Sequence, residues 1–192
     1  MTQHLGRPRD EKIDARILQT TLKLLHLHGY SGLRIDEVAA ESQVAKTTIY
    51  RRWPTLARLA VAAIQQEFRH RIIPPTGDVT QDIDNLIATY ADIFSEDKAT
   101  LLTIGLDIHR QSDSELQAIY RRSIIDPIRC QIIDVARHQR VPEQHAADLT
   151  DAIIGGLMYR TTILNQSMTK QDVTEFIINI LKTCIPIHHN SK

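Results

Sequence analysis

Leu33 to Pro54 reads L-R-I-D-E-V-A-A-E-S-Q-V-A-K-T-T-I-Y-R-R-W-P, and its periodicity predicts two short helices joined by a tight turn. Ile35, Val38 and Ala39 fall at i, i+3 and i+4 of the first helix and share one face. Asp36 and Glu37 occupy its opening turn, where carboxylates favour the exposed backbone amides. Ser42-Gln43 interrupts the pattern, and Val44 follows as the buried plug of the turn. In the second helix Ile49 and Trp53 point inward, while Lys46, Thr47, Thr48, Tyr50, Arg51 and Arg52 point outward. No acid lies between Glu41 and Glu67. An apolar anchor behind a cationic, hydroxyl-rich face suits a recognition helix in a DNA major groove. Arginine and lysine address guanine edges or phosphates, and threonine reaches phosphate or a thymine methyl.

The run A-K-T-T-I-Y-R-R-W-P follows a helix ending H-G-Y, with G-R-P-R-D further upstream. Together they resemble the helix-turn-helix of TetR-family transcriptional regulators. The resemblance implies an all-α protein with an N-terminal three-helix DNA-binding bundle and a C-terminal helical domain for ligand binding and dimerisation. Carried over position by position, it places Lys46 and Thr47 on bases, with Arg51 a further candidate. Thr48, Tyr50 and Arg52 fall at phosphate-contacting positions, Tyr50 being the most specific. Two positions depart from the family pattern. Gln43 stands where a turn glycine is usual, and Leu56 where a phosphate-gripping lysine is common; Arg58 or Arg34 are the candidates to compensate.

Composition agrees with a two-part protein. The 192 residues carry 23 basic and 23 acidic side chains. Residues 1–72 hold 12 Lys/Arg against 7 Asp/Glu, a balance of +5, and the remaining 11 against 16 give −5. Phosphate neutralisation supplies much of DNA affinity, so a nucleic-acid contact belongs to the basic part. No apolar run approaches membrane-spanning length, and the start M-T-Q-H-L-G-R-P-R lacks a signal-peptide hydrophobic region. Cys130 and Cys184 are too few for a disulfide framework and lack metal-ligand spacing, which fits a reduced, cytoplasmic setting and no cofactor or metal.

Residues 1–54 are therefore assigned to DNA binding, 55–73 to a connecting helix, 74–186 to ligand binding and dimerisation, and 187–192 to a tail. Within the arm 1–10, Arg7 and Arg9 of G-R-P-R either lie along DNA, as the resemblance implies for a basic arm near the minor groove, or belong to a solvated tail. Lys12–His28 sets Ile13, Ile17, Thr21, Leu24, Leu25 and His28 on one stripe, with Gly29 as C-cap. Pro54 ends the recognition helix and Thr55 caps the next. Ile73-Pro74-Pro75-Thr76-Gly77 marks a loop.

Beyond it, Ile83, Leu86, Ile87, Tyr90, Ile93 and Phe94 repeat at helical spacing, then Leu101, Leu102, Ile104 and Ile108. A long helix through Leu116, Ile124 and Val135 contains Pro127, which predicts a bend. Glu143–Gln166 is apolar over a wide arc and holds Gly155-Gly156 at its centre, each glycine costing about 1 kcal/mol relative to alanine unless another helix approaches closely. With Gln171–Cys184 it forms an apolar-rich C-terminal pair, suited to completion by a second subunit. D-A-I-I-G-G-L-M-Y-R also resembles the penultimate helix of TetR-like regulators, which implies a homodimer through 144–166 and 171–184. Two recognition helices related by a two-fold axis would read an inverted repeat in double-stranded DNA, with half-sites about 34–36 Å apart or a comparable spacing.

The resemblance further implies a small-molecule effector whose binding changes that spacing. Tyr90, Phe94, Leu101, Ile104, His109, Tyr120, Ile124 and Tyr159 are the candidates to line its pocket, although residues of these types at such positions are more often plain core. His109, Arg110 and Arg121 are candidates to meet a polar or anionic group, and an apolar or aromatic effector is the default for aliphatic walls. The enzyme class finds little support: there is no Gly-rich phosphate loop, no nucleophile motif and no His pair at i, i+4 on one face. A helical adaptor that binds protein in place of DNA is the remaining alternative.

Overall fold

The structure, a computed structural model, describes residues 11–68, 76–94, 99–138 and 141–184, and these are all-α, with no strand among them. Helix α1 spans Glu11–Gly32 with a break at Gly29; α2 is Ile35–Ser42, α3 Lys46–Arg52 and α4 Leu56–Phe68. Ile17, Thr21, Leu24 and Leu25 of α1 are buried, and the Thr21 hydroxyl is satisfied by the Ile17 carbonyl at 2.8 Å. His28, placed on that stripe by periodicity, is instead exposed and lies 3.6 Å from Glu37. It follows the last buried turn, so its ring reaches past the bundle to α2. Val38, Val44 and Ile49 close the three-helix core, with Trp53 partly buried beside them.

Helix α4 buries seven side chains from Ala57 to Phe68 and packs along α1. Its start is capped by Thr55, whose Oγ1 accepts the Arg58 N–H at 3.2 Å. Then come α5 (Val79–Phe94), α6 (Ala99–Arg110) and α7 (Ser114–Tyr120). Before α5, Asp82 takes the Thr76 N–H at 2.7 Å, the Thr76 hydroxyl at 2.8 Å and the Gly77 N–H at 3.2 Å. These bonds, the Thr76 backbone one foremost, hold the Asp82 carboxyl below the usual aspartate range.

The bend expected at Pro127 lies one turn earlier. Residues Arg121–Ile125 form a π turn, in which the Asp126 N–H reaches back to the Arg121 carbonyl, before α8 (Asp126–His138) resumes regular geometry. A proline has no N–H for the preceding turn, and the helix widens just ahead of it. Helix α9 (Glu143–Met158) also ends in a π turn, Tyr159–Ile163, and α10 (Lys170–Cys184) closes the chain against α5 and α9. A reciprocal cap starts α10: Asp172 accepts the Thr169 N–H at 2.9 Å and donates its own N–H to Thr169 Oγ1 at 3.2 Å. Gly156 is explained by close approach, since a Cβ there would fall 2.4 Å from Phe176 Cζ. Gly155 faces open space.

Candidate nucleic-acid interface and interior cavity

The α2–α3 turn is built on Gln43, which adopts the left-handed conformation (φ 54°, ψ 38°) despite its side chain. Its N–H donates to the Ala40 carbonyl at 3.3 Å and the Val44 N–H to the Ala39 carbonyl at 3.1 Å, the closure by which a helix normally ends at glycine. The turn geometry is therefore kept without the glycine. Ile49 is fully buried and anchors α3, leaving Lys46, Thr47, Tyr50 and Arg51 exposed and Thr48 half-buried. Tyr50 remains 44% exposed, high for a tyrosine beside a packed core. Lys46 pairs with Asp36 and so braces α3 to α2. Arg51 has no ion pair among the described residues.

Three of the arginines singled out by the sequence have partners within the chain. Arg52, placed on a phosphate by the resemblance, turns inward with a side chain 10% exposed and pairs with Asp14 of α1. It lies two residues from the outward Tyr50, and at 100° per residue that turns it toward α1. Arg34 spends its guanidinium on its own turn, donating to the carbonyls of Ser31 at 2.8 Å and Leu33 at 3.0 Å. Arg58 pairs with Glu115 at 3.3 Å. Both residues stay exposed, as Lys46 does beside Asp36, and Leu56 packs against the core. Arg7 and Arg9 lie outside the described residues.

Residues from α4 through α9 line a cavity of about 130 Å³. Four of the candidate residues line it, namely Phe94, His109, Tyr120 and Ile124. Tyr90 stands one layer behind: it is fully buried, stacks on Phe94 at 6.1 Å and donates its hydroxyl to the Ile128 carbonyl at 3.0 Å. Ile104 is core without lining the cavity, and the Leu101 side chain lies outside what is described. Tyr159 is corrected outright. It is 54% exposed: its N–H still bonds to the Gly155 carbonyl, so it stands one regular turn after Gly155, on the open face of α9. Of the charged candidates, Arg110 and Arg121 are exposed off the cavity, Arg121 lying 3.4 Å from Asp126. Periodicity missed Phe68, Gly105, Arg129 and Met158, which reach the cavity from four different helices. Only the cost of Gly105 inside α6 hinted at any of them.

The Tyr120 residue is 6% exposed, and burial pushes its phenol up to about 12, so it stays a neutral donor. The hydroxyl sits over Gly105, where a Cβ would fall 2.5 Å from it. His109 stands edge-on to the same ring at 5.9 Å. Arg129, at another edge of the cavity, is paired with Asp151.

Comparison with known proteins gives a consistent picture. Residues 17–63 match the family described as "Bacterial regulatory proteins, tetR family". An HTH-type transcriptional regulator of Mycobacterium tuberculosis is 29% identical over 191 residues, covering 94% of each chain. A DNA-binding transcriptional repressor TetR of Mycobacteroides abscessus is 34% identical over 124 residues, covering 62% of this chain and 63% of that one. In three dimensions a transcriptional regulator of Pseudomonas aeruginosa PAO1 superposes with a TM-score of 0.67 at 18% identity, over 95% of both chains. Among the described residues no helix is long and apolar enough to cross a membrane.

Proposed function

Since the chain belongs to the TetR family of transcriptional regulators, we propose that it is a repressor, binding an inverted-repeat operator as a homodimer and released when a small molecule fills the interior cavity. The observation that carries the DNA reading is the outward set Lys46, Thr47, Tyr50 and Arg51, raised on a turn that Gln43 and Val44 close and anchored by Ile49. Thr48, at the edge of that set, is suited to a phosphate. Support for the dimer comes from the end of α9 and the turn after it, where Tyr159, Ile163 and Leu164 are 54%, 70% and 49% exposed, bare apolar surface that a second copy would cover. Repression is favoured by the printed role of the M. abscessus relative.

Release follows from differential binding: an effector shifts the equilibrium only as far as it prefers the arrangement that misfits the operator. The cavity touches Phe68 at the end of α4 and Gly105 and His109 on α6, and both helices pack on α1. The test is selection of duplexes from a random pool by the purified chain. The expected result is an inverted repeat with half-site centres about one or a few helical turns apart. Enrichment of a single unrepeated site, or of nothing, would contradict the reading.

A further inference from the structure

We infer that the effector is a neutral, single-ring-sized molecule with one oxygen acceptor, held by a hydrogen bond from the Tyr120 hydroxyl. The inference rests on the ligand-released reading above and adds the chemistry of the ligand. Size comes first. A cavity of about 130 Å³ compares with the roughly 150 Å³ apolar cavity that accommodates benzene in an engineered lysozyme. Polarity comes second. Tyr120 lines the cavity, and its hydroxyl, which stands over Gly105 and is not among the fully buried unpaired atoms, is open to a partner from the cavity. An oxygen on the ligand would take the place of water on that donor. Charge comes third. No carboxylate lines the cavity, which leaves nothing to hold a cation. The one guanidinium at its edge, Arg129, is already neutralised by Asp151, and His109, the other basic side chain on the wall, packs edge-on to the Tyr120 ring, so an anion gains little for its desolvation.

The test measures binding to the full-length protein by calorimetry and, separately, release of a bound operator by fluorescence anisotropy. Acetophenone is the probe, ethylbenzene its match without oxygen, benzoate and benzylamine its charged counterparts, and flavone the larger one. The expected result is that acetophenone binds about tenfold more tightly than ethylbenzene, the worth of one buried hydrogen bond. Tyr120→Phe should erase that preference while ethylbenzene affinity stays as in the wild type, which also shows that the variant retains its cavity. Tightest binding by benzoate, benzylamine or flavone would overturn the assignment, as would an acetophenone preference that survives in Tyr120→Phe. If acetophenone binds as expected but never releases DNA, the ligand class stands and the release reading fails. If only flavone or a charged probe releases DNA, release stands and this ligand class fails.

Discussion

The Asp107 carboxylate of α6 accepts the backbone N–H of Tyr30 at 2.6 Å, across 77 residues of sequence. The same oxygen takes the Ser31 N–H at 3.1 Å, and Gln111 adds a bond to the Ser31 hydroxyl at 2.9 Å. Gly29 permits this: its φ of 64° turns the chain so that two successive amides face one acid, and a Cβ there would fall 3.0 Å from that oxygen. Gly105 and His109 line the cavity from the same helix, so α6 carries both a wall of the cavity and the tie to the N-terminal three-helix bundle.

Asp107→Asn should loosen that tie. Losing a charged acceptor for two amides costs about 1–3 kcal/mol, visible in urea unfolding. The proposed mechanism also expects a weaker effector response in the variant, seen as operator complexes that survive ligand concentrations sufficient to dissociate the wild type.

Asp14→Ala should be more damaging. Removing one partner of a largely buried pair strands the Arg52 guanidinium, at about 3–5 kcal/mol. Arg52→Met should likewise destabilise the fold while leaving the salt dependence of DNA binding unaltered. A variant of native stability with a shallower salt slope would return Arg52 to the phosphates.

Gln43→Gly should stabilise the protein. A left-handed residue with a side chain is strained by about 1–2 kcal/mol, and the greater freedom of unfolded glycine takes back part of the relief. A net gain of about 0.5–1 kcal/mol is expected from thermal unfolding.

Acid should unlock two helix starts. The Asp82 and Asp172 carboxyls are held below their ordinary value of 3.8, Asp82 chiefly by the Thr76 N–H and Asp172 chiefly by the Thr169 hydroxyl. A depressed folded-state value means the contribution is complete above the unfolded-state value and drains away as pH falls through the folded one. Stability measured from pH 6 downward should therefore decline below about pH 4, and less so in Asp82→Asn.

The adjacent glycines should separate dimerisation from folding. Gly155→Arg enters open space within the chain and should leave a folded monomer in sedimentation, whereas Gly156→Ala must displace Phe176 and should lower the unfolding midpoint itself. A dimer in Gly155→Arg would move the subunit interface elsewhere.

How much of this was legible in the sequence differs between the two halves. Around α3 the pattern is local: Ile49 and Val44 define the inside, and a seven-residue helix leaves little freedom for the rest. Even there Arg52 misled, because its partner Asp14 is 38 positions away and no local period registers it. Gln43 was read as a departure, yet backbone closure by Ala39 and Ala40 overrides the side chain's preference. The cavity was half legible. Aromatic and aliphatic periodicity flagged Phe94, Tyr120 and Ile124, but a cavity is an absence shared among helices, and Phe68, Gly105 and Arg129 join it only through tertiary packing. Tyr159 keeps regular helical phase but shares its face with Gly155, which is open within the chain, and an apolar arc as wide as that of α9 does not say which side turns inward.

The central claim, that the surface around Tyr50 lies on a duplex twice in a symmetric pair, is tested most directly by fluorescence anisotropy on the selected operator across a salt series, with Lys46→Ala and Tyr50→Ala alongside. The expected result is two chains per duplex, a log–log salt slope of about −0.9 for each phosphate contacted, and weaker binding in both variants with the dimer intact. One chain per duplex, affinity indifferent to salt, or a Tyr50→Ala protein that binds like the wild type would contradict it.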